Sequence, residues 1–393
     1  MSCIGESMET IRVALVTKEW PPHLYGGAGV HVVQLAAALR ARSDISLSVH
    51  CFGNARADAI GYPVPEEFAD SNPVLQAIAT DLAIADALSN VDLVHTHTWY
   101  ANMAGHIASL IHGIPHIMSA HSLEPLRPWK AEQLGGGYQL SSWVEKSAIE
   151  NAAAIIAVSD GMRTDVLTTY PNVDPAKVQT IRNGVDTIKF APNHNPSVLA
   201  KYKITGRYAL FVGRITRQKG LAHLLRAWQE VPAQYGLVVA AGSPDEPAIG
   251  QEIAELIAQL QKTRTNVWWI EKMLPHDELT AVLTDADLFI CPSIYEPLGI
   301  VNLEAMGCAT AVLASAVGGI PEVVINGVTG ELVNYSTNHQ QFESDLTDAI
   351  VRLMAKPDLL KEYGAAGRVR AQSEFGWEAV ATATMALYAS VAR

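Results

Sequence analysis

Cysteine is scarce in this chain: 393 residues hold only 4, at Cys3, Cys51, Cys291 and Cys308, with no Cys-x-x-Cys pair. Such spacing suggests neither a disulfide framework nor a cysteine-held zinc site, and it fits a reducing compartment. Charge is thin as well, at 17%, and basic charge thinner still, with 28 Lys and Arg against 40 Asp and Glu and a net charge of -12. A surface of that sign repels phosphate backbones and anionic headgroups, so neither nucleic acid nor a membrane surface is expected as a partner. No apolar run approaches membrane-spanning length, and the opening MSCIGESMET carries two acids and no basic segment ahead of its first apolar stretch. The expectation is a cytoplasmic protein without a membrane span, its residues 1–9 a loose tail.

What the chain does have is hydrophobic residues, 49% of the total, enough for more than one packed core at this length. Short β-branched runs alternate with helical patterns: IRVALVT (11–17), ISLSVHC (45–51), DLVH (92–95), HIMSA (116–120), AIIAVS (154–159) and VQTIRN (178–183). A second series follows in YALFVGR (208–214), GLVVAAG (236–242), NVWWI (266–270), DLFICPS (287–293) and TAVLAS (310–315). That alternation predicts α/β architecture: two doubly wound domains of parallel strands with crossover helices, residues 1–195 and 196–376, facing a central cleft. The proline- and asparagine-rich FAPNHNPSVLAKYKITG is the expected linker, and 377–393 has the spacing of a final helix that packs back on the first domain.

Three stretches carry chemistry. After the first strand, YGGAG leads into a helical pattern from Val30, and a glycine turn at a helix start, here Gly26 and Gly27, offers N–H groups to an anion. It is not a dinucleotide fingerprint, because Val32 stands where the third glycine belongs and the second strand ends in His50-Cys51-Phe52 without a ribose-binding acid. In FVGRITRQKG (211–220), Arg214 and Lys219 lie at the end of a strand between Gly213 and Gly220. Two cations there suit a diphosphate, one as a fork and one as a point charge; a solvated basic loop is the plainer reading. In YEPLGIVNLEAMGC, Glu296 and Glu304 are separated by seven mostly apolar residues. A helix beginning near Gly299 would free the N–H groups of Gly299, Ile300 and Val301 for a phosphate or sugar oxygen, with the two acids gripping hydroxyls. The plainer reading is a glutamate at a helix start and a second one paired elsewhere.

Taken in order, GGAG, NGVDTIKF (183–190), GRITRQKG and EPLGIVNLE resemble the retaining glycosyltransferases of the GT-B fold, families 4 and 5, across nearly the whole chain. HSLEPLRPWK (121–130) resembles the short branch of glycogen synthases and maltose-1-phosphate synthases. The resemblance implies a metal-independent hexosyltransferase that moves glucose from ADP-glucose or UDP-glucose, in α-1,4 linkage, to glucose 1-phosphate or an α-glucan chain. The nucleotide sugar is then a substrate, and no cofactor is implied. It also implies that Arg214 and Lys219 hold the diphosphate, that Glu304 binds the ribose, that Glu296 with the amides of Gly299, Ile300 and Val301 binds glucose and the distal phosphate, and that His121 stands at the anomeric carbon. His95, His97, His106, His112 and His116 have no such motif, and Asp160 resembles a position at the cleft edge. Longer bacterial glycogen synthases have a lysine where Tyr25 stands, which favours the shorter branch. Two other reactions of the fold stay open, transfer to a lipid or small alcohol and epimerisation of the sugar nucleotide.

The acceptor is approached through Arg127 and Lys130, which flank Pro128 and Trp129. A sugar phosphate would gain from both cations and from the flat face of Trp129, whereas a neutral glucan gains little. The competing reading pairs the two cations with Glu124 and Glu132. No set of carboxylates, histidines or cysteines in the sequence has metal-ligand spacing, so no metal is expected.

Overall fold

A computed structural model describes residues 10–24, 26–131 and 135–392. The expectations for residues 1–9, Cys3, Tyr25 and Glu132 fall outside that range. The chain divides into two compact units, Met1–Asn183 with Trp377–Arg393 and Gly184–Gly376.

In the first unit, strands β1 (Ile11–Thr17), β2 (Ile45–Phe52), β3 (Ile60–Tyr62), β4 (Leu93–His97), β5 (His116–Ala120), β6 (Ala154–Ala157) and β7 (Val178–Thr180) form one parallel sheet in the order β3-β2-β1-β4-β5-β6-β7. Helices α1 (Gly27–Arg40), α2 (Pro73–Ala87), α3 (Trp99–His112), α4 (Gly137–Asn151) and α5 (Asp160–Thr169) lie between the strands. The second unit opens with α6 (Pro196–Lys201) and holds β8 (Tyr208–Ile215), β9 (Gly236–Pro244), β10 (Val267–Ile270), β11 (Leu288–Cys291), β12 (Val312–Ser315) and β13 (Gly330–Val333) in the order β10-β9-β8-β11-β12-β13, again parallel. Its other helices are α7 (Leu221–Ala227), α8 (Pro247–Thr263), α9 (His276–Thr284), α10 (Ile300–Gly307), α11 (Ile320–Val323), α12 (His339–Met354) and α13 (Pro357–Glu374). The last helix, α14 (Trp377–Val391), belongs to the first unit.

Alternation along the strands decides which helix covers which face. Val13 of β1 packs with Leu35 and Leu39 of α1 and with Ala381, Met385 and Tyr388 of α14, whereas Ala14 and Val16 pack with Ile84 and Ala85 of α2 and Ala101 and Ala104 of α3. Each buried Leu or Ile in such a layer contributes roughly 1.5–3 kcal/mol. In the second unit Ala209 and Phe211 of β8 pack with Leu224 of α7 and Ile253 of α8.

Two differences from the sequence reading are physical. The first unit ends at Asn183 rather than at residue 195, because the segment expected as linker binds α9: Asn193 N–H donates to Thr284 Oγ1 at 2.9 Å, and His194 Nδ1 lies 2.7 Å from Asp285 Oδ1. The edge strands β3 and β13 were not expected, since runs as short as IGY and GELV carry almost no periodicity of their own.

Candidate active site

The second unit concentrates most of the expected residues. β8 bulges between Gly213 and Ile215 and runs into a single helical turn at Arg217–Lys219, where Thr216 Oγ1 accepts from the Lys219 N–H at 3.3 Å. Gly220 follows at φ 64°, and a side chain there would overlap the Pro292 carbonyl. Nearby the Ile294 N–H donates to the Gln218 carbonyl at 2.9 Å, so the loops after β8 and β11 are stitched together. Only glycine meets both the left-handed backbone and the close approach.

That stitching puts Lys219 against Glu296. Lys219 Nζ donates to Glu296 Oε2 at 2.6 Å, and Ser293, fully buried, donates its hydroxyl to the same oxygen at 3.2 Å. Burial opposes the ammonium charge, but the Glu296 carboxylate outweighs it and Lys219 titrates above the ordinary lysine range. Arg214 is close enough to pull the other way, so the two cations converge. The Arg214 guanidinium also meets Asp245 Oδ1 at 2.9 Å, a partner the sequence reading missed.

Glu296 is held by its backbone too. Its carbonyl accepts from the Gly319 N–H at 3.0 Å, and Gly318, at φ 52°, passes so near that a Cβ would strike the same carbonyl. Gly299, at φ 95°, begins α10 without a side-chain cap, and the amides of Ile300 and Val301 in its first turn have no intrahelical acceptor. Glu304 lies in the same helix, half-buried; burial pushes its carboxyl up to about 7 while Lys219 draws it down. Two converging cations, free helix-start amides and two carboxyls within reach of Lys219 make a site that can take an anion and a polyhydroxy group together.

In the first unit, β4 and β5 run in register, His97 opposite Ser119, and so deliver His97 and His121 to the same sheet edge. His121 Nε2 lies 3.0 Å from His97 Nδ1, and His31 of α1 completes the group with its ring centroid 4.8 Å from that of His121. One ring nitrogen from each of the three lies within 4.8 Å of the others. The three histidines come from separate strand–helix connections, so no linear spacing in the sequence could point to their grouping. Burial holds all three rings uncharged at neutral pH, His31 and His97 well below the usual range and His121 at about 4. His95 and His116 serve the fold: His95 bridges Tyr388 of α14 at 2.6 Å and Ser119 at 2.9 Å, and His116 meets Thr96 Oγ1 at 2.7 Å.

The loop after His121 departs from its expected use. Glu124 is fully buried, and the Arg127 guanidinium is bonded to it; Ser141 Oγ donates to the other oxygen at 3.0 Å, and the Glu124 N–H donates to Glu145 Oε1 at 2.9 Å. Glu145 is buried beside Glu124 and is pushed up to about 8. Arg127 therefore fastens the loop instead of offering a free cation. Trp129 is half-buried, and Lys130 stands within electrostatic reach of Lys18 at the end of β1. Gly26 precedes α1 and spends its N–H on Glu19 Oε2 at 3.0 Å, which leaves Gly27 as the exposed start of the helix. Asp160 pairs with Arg182 at 2.6 Å and accepts from Thr180 at 2.6 Å, a structural engagement.

Residues 199–370 match the model of glycosyl transferases group 1, and residues 25–189 match that of glycosyltransferase family 4. The chain is 50% identical over 388 residues to the α-maltose-1-phosphate synthase of Mycolicibacterium smegmatis, covering 97% of this chain and 100% of that one. It is 26% identical to the glycogen synthase of Mycobacterium tuberculosis, covering 98% and 95% of the two chains. Among solved structures, sucrose-phosphate synthase from Thermosynechococcus elongatus superimposes with a TM-score of 0.79 at 25% identity, covering 97% and 98%. Two parallel-sheet units, each matched over most of its length by a glycosyltransferase family model, and half-identity to a relative along its full length, mean that this chain belongs to the family 4 glycosyltransferases of the GT-B fold.

Proposed function

We propose that the chain transfers glucose, with retention, from a nucleoside diphosphate glucose to the 4-hydroxyl of glucose 1-phosphate, forming a maltose phosphate in α-glucan synthesis. The observation that carries the donor half is the convergence of Lys219 and Arg214 beside the uncapped start of α10. These groups meet the departing diphosphate and stabilise its growing charge, a contribution made mainly in the transition state. Glu296 and the amides of Gly299, Ile300 and Val301 bind the glucose and distal phosphate, and Glu304 accepts from the ribose hydroxyls. The diphosphate takes the proton of the incoming hydroxyl on the same face, so no enzyme nucleophile and no metal enters the reaction. His121, uncharged, hydrogen-bonds the transferred sugar.

Glucose 1-phosphate as acceptor is supported by the name of the 50%-identical relative, a maltose-1-phosphate synthase, and by the nearness of Lys130 to Lys18, whereas Arg127 is bonded to Glu124. Trp129 supplies a face for the sugar ring. The expected setting is the cytoplasm, and among the described residues no helix is long and apolar enough to cross a membrane.

The test offers ADP-glucose or UDP-glucose with glucose 1-phosphate or a maltooligosaccharide and follows nucleoside diphosphate release and product mass, with and without EDTA. The expected result is maltose phosphate, undiminished by EDTA, with Lys130→Ala losing kcat/KM for glucose 1-phosphate selectively. No transfer to glucose 1-phosphate alongside a lengthened oligosaccharide would leave glucan elongation as the function, and donor interconversion without an acceptor would make the chain an epimerase.

A further inference from the structure

The histidines gathered at the end of β4 and β5 do more than the transfer reaction asks of them. We propose that His31, His97 and His121 form a binding site for a divalent transition ion, Zn²⁺ above all, and that the ion inhibits the enzyme by occupying His121. Three ring nitrogens within 4.8 Å of one another, all from buried side chains, are already close to the separation a shared ion needs. Zinc–nitrogen bonds of about 2.0–2.1 Å in a tetrahedral site place ligand nitrogens roughly 3.3 Å apart. The His97 to His121 separation of 3.0 Å is near that value, so His31 has the furthest to move.

The donor chemistry selects the ion. Three imidazoles with no carboxylate among them suit Zn²⁺, Co²⁺, Ni²⁺ or Cu²⁺ and give nothing to Mg²⁺ or Ca²⁺, which require oxygen. Uncharged rings bind without first losing a proton: each keeps its proton on one nitrogen and offers the other. Metal binding breaks the hydrogen bond between His97 and His121, and the ring that had been donating shifts its proton to its other nitrogen. His31 Nδ1 has no hydrogen-bond partner, although Asn183 stands beside it and favours its charged form. Unmet polar atoms at such depth are costly, and coordination relieves that cost. His95, its ring tilted against that of His97 with centroids 4.2 Å apart, is no fourth ligand because both its nitrogens are engaged by Tyr388 and Ser119. The fourth position is left to water or a sugar hydroxyl.

The binding claim stands independently of the proposed transfer, whereas the inhibition claim rests on the role given to His121. Metal-stripped full-length protein is titrated with Co²⁺ and followed by visible absorption, and with Zn²⁺ by calorimetry. One equivalent is expected to bind, with the intense bands of tetrahedral Co²⁺ coordinated by nitrogen and no sulfur-to-metal charge transfer. His31→Gln and His97→Gln, checked for folding by circular dichroism, are expected to weaken binding at least about tenfold, and His112→Ala to leave it unchanged. Absence of the tetrahedral spectrum in wild type overturns the site whatever the variants do, and so does affinity unchanged in both glutamine variants. In the glucosyl-transfer assay, Zn²⁺ is expected to inhibit and EDTA to restore activity. Stoichiometric binding without inhibition would keep the site and remove His121 from the chemistry.

Discussion

Lys219 Nζ lies 2.6 Å from Glu296 Oε2, so the cation assigned to the donor diphosphate and the acid assigned to its sugar neutralise each other. The Glu296 side chain is 9% exposed and that of Lys219 19%, and removing one partner strands the other in a poorly solvated place. Fully buried pairs broken in this way lose roughly 3–5 kcal/mol, and partial exposure brings the expected loss for Lys219→Ala to about 2 kcal/mol. Turnover is expected to fall by about 10²-fold or more, because the proposed contact with the diphosphate would be made mainly in the transition state. Combining Lys219→Ala with Glu296→Gln should recover much of the stability and none of the activity. Urea unfolding beside kcat separates the two effects, and unchanged turnover in Lys219→Ala would take the diphosphate role from that residue.

Gly318 touches no expected ligand group, yet a Cβ there would strike the carbonyl that positions Glu296. With φ at 52°, an alanine also pays the left-handed penalty of about 1–2 kcal/mol. Gly318→Ala should therefore lower stability by at least that amount and raise KM for the nucleotide sugar through a displaced Glu296. Wild-type KM in a folded Gly318→Ala protein would show that the turn at 318–319 does not position the acid.

Acidification sets two groups of side chains against each other. His31, His95, His97, His116 and His121 titrate below the unfolded value when folded, chiefly through burial, with His95 and His116 at about 3 and His121 at about 4. Their contribution is lost as pH falls below about 6.5, where the unfolded chain takes up protons that the native chain refuses. Glu145, Glu304 and Asp81 are raised by burial and act the other way, favouring the native state as pH falls toward the ordinary carboxyl range. Each unmatched proton is worth about 1.4 kcal/mol per pH unit, and the histidines outnumber the carboxyls. Tm should therefore fall steeply between about pH 6.5 and 4.5. A flat or rising Tm over that range would mean the histidines are not held uncharged.

The succession of strands along the chain, the two parallel sheets and the clustering of Arg214, Lys219, Glu296 and Glu304 were legible because each is local. Parallel strands buried on both faces read as short β-branched runs, and GRITRQKG and EPLGIVNLE keep their cations, acids and glycines within one loop or one helix start. The linker and the short edge strands were misread or missed because their state is set by what they pack against: α9 claims Asn193 and His194, and β3 and β13 pair only at the sheet margins. Only the tertiary structure decided that Arg127 belongs to the buried Glu124, that Asp245 holds Arg214, and that His31, His97 and His121 meet. Arg127 and Glu124 are only three residues apart, and it took packing to choose that pair over a free cation; the other groupings join residues from separate crossovers, and distance along the chain carries no information about them until parallel strands bring their ends to one edge.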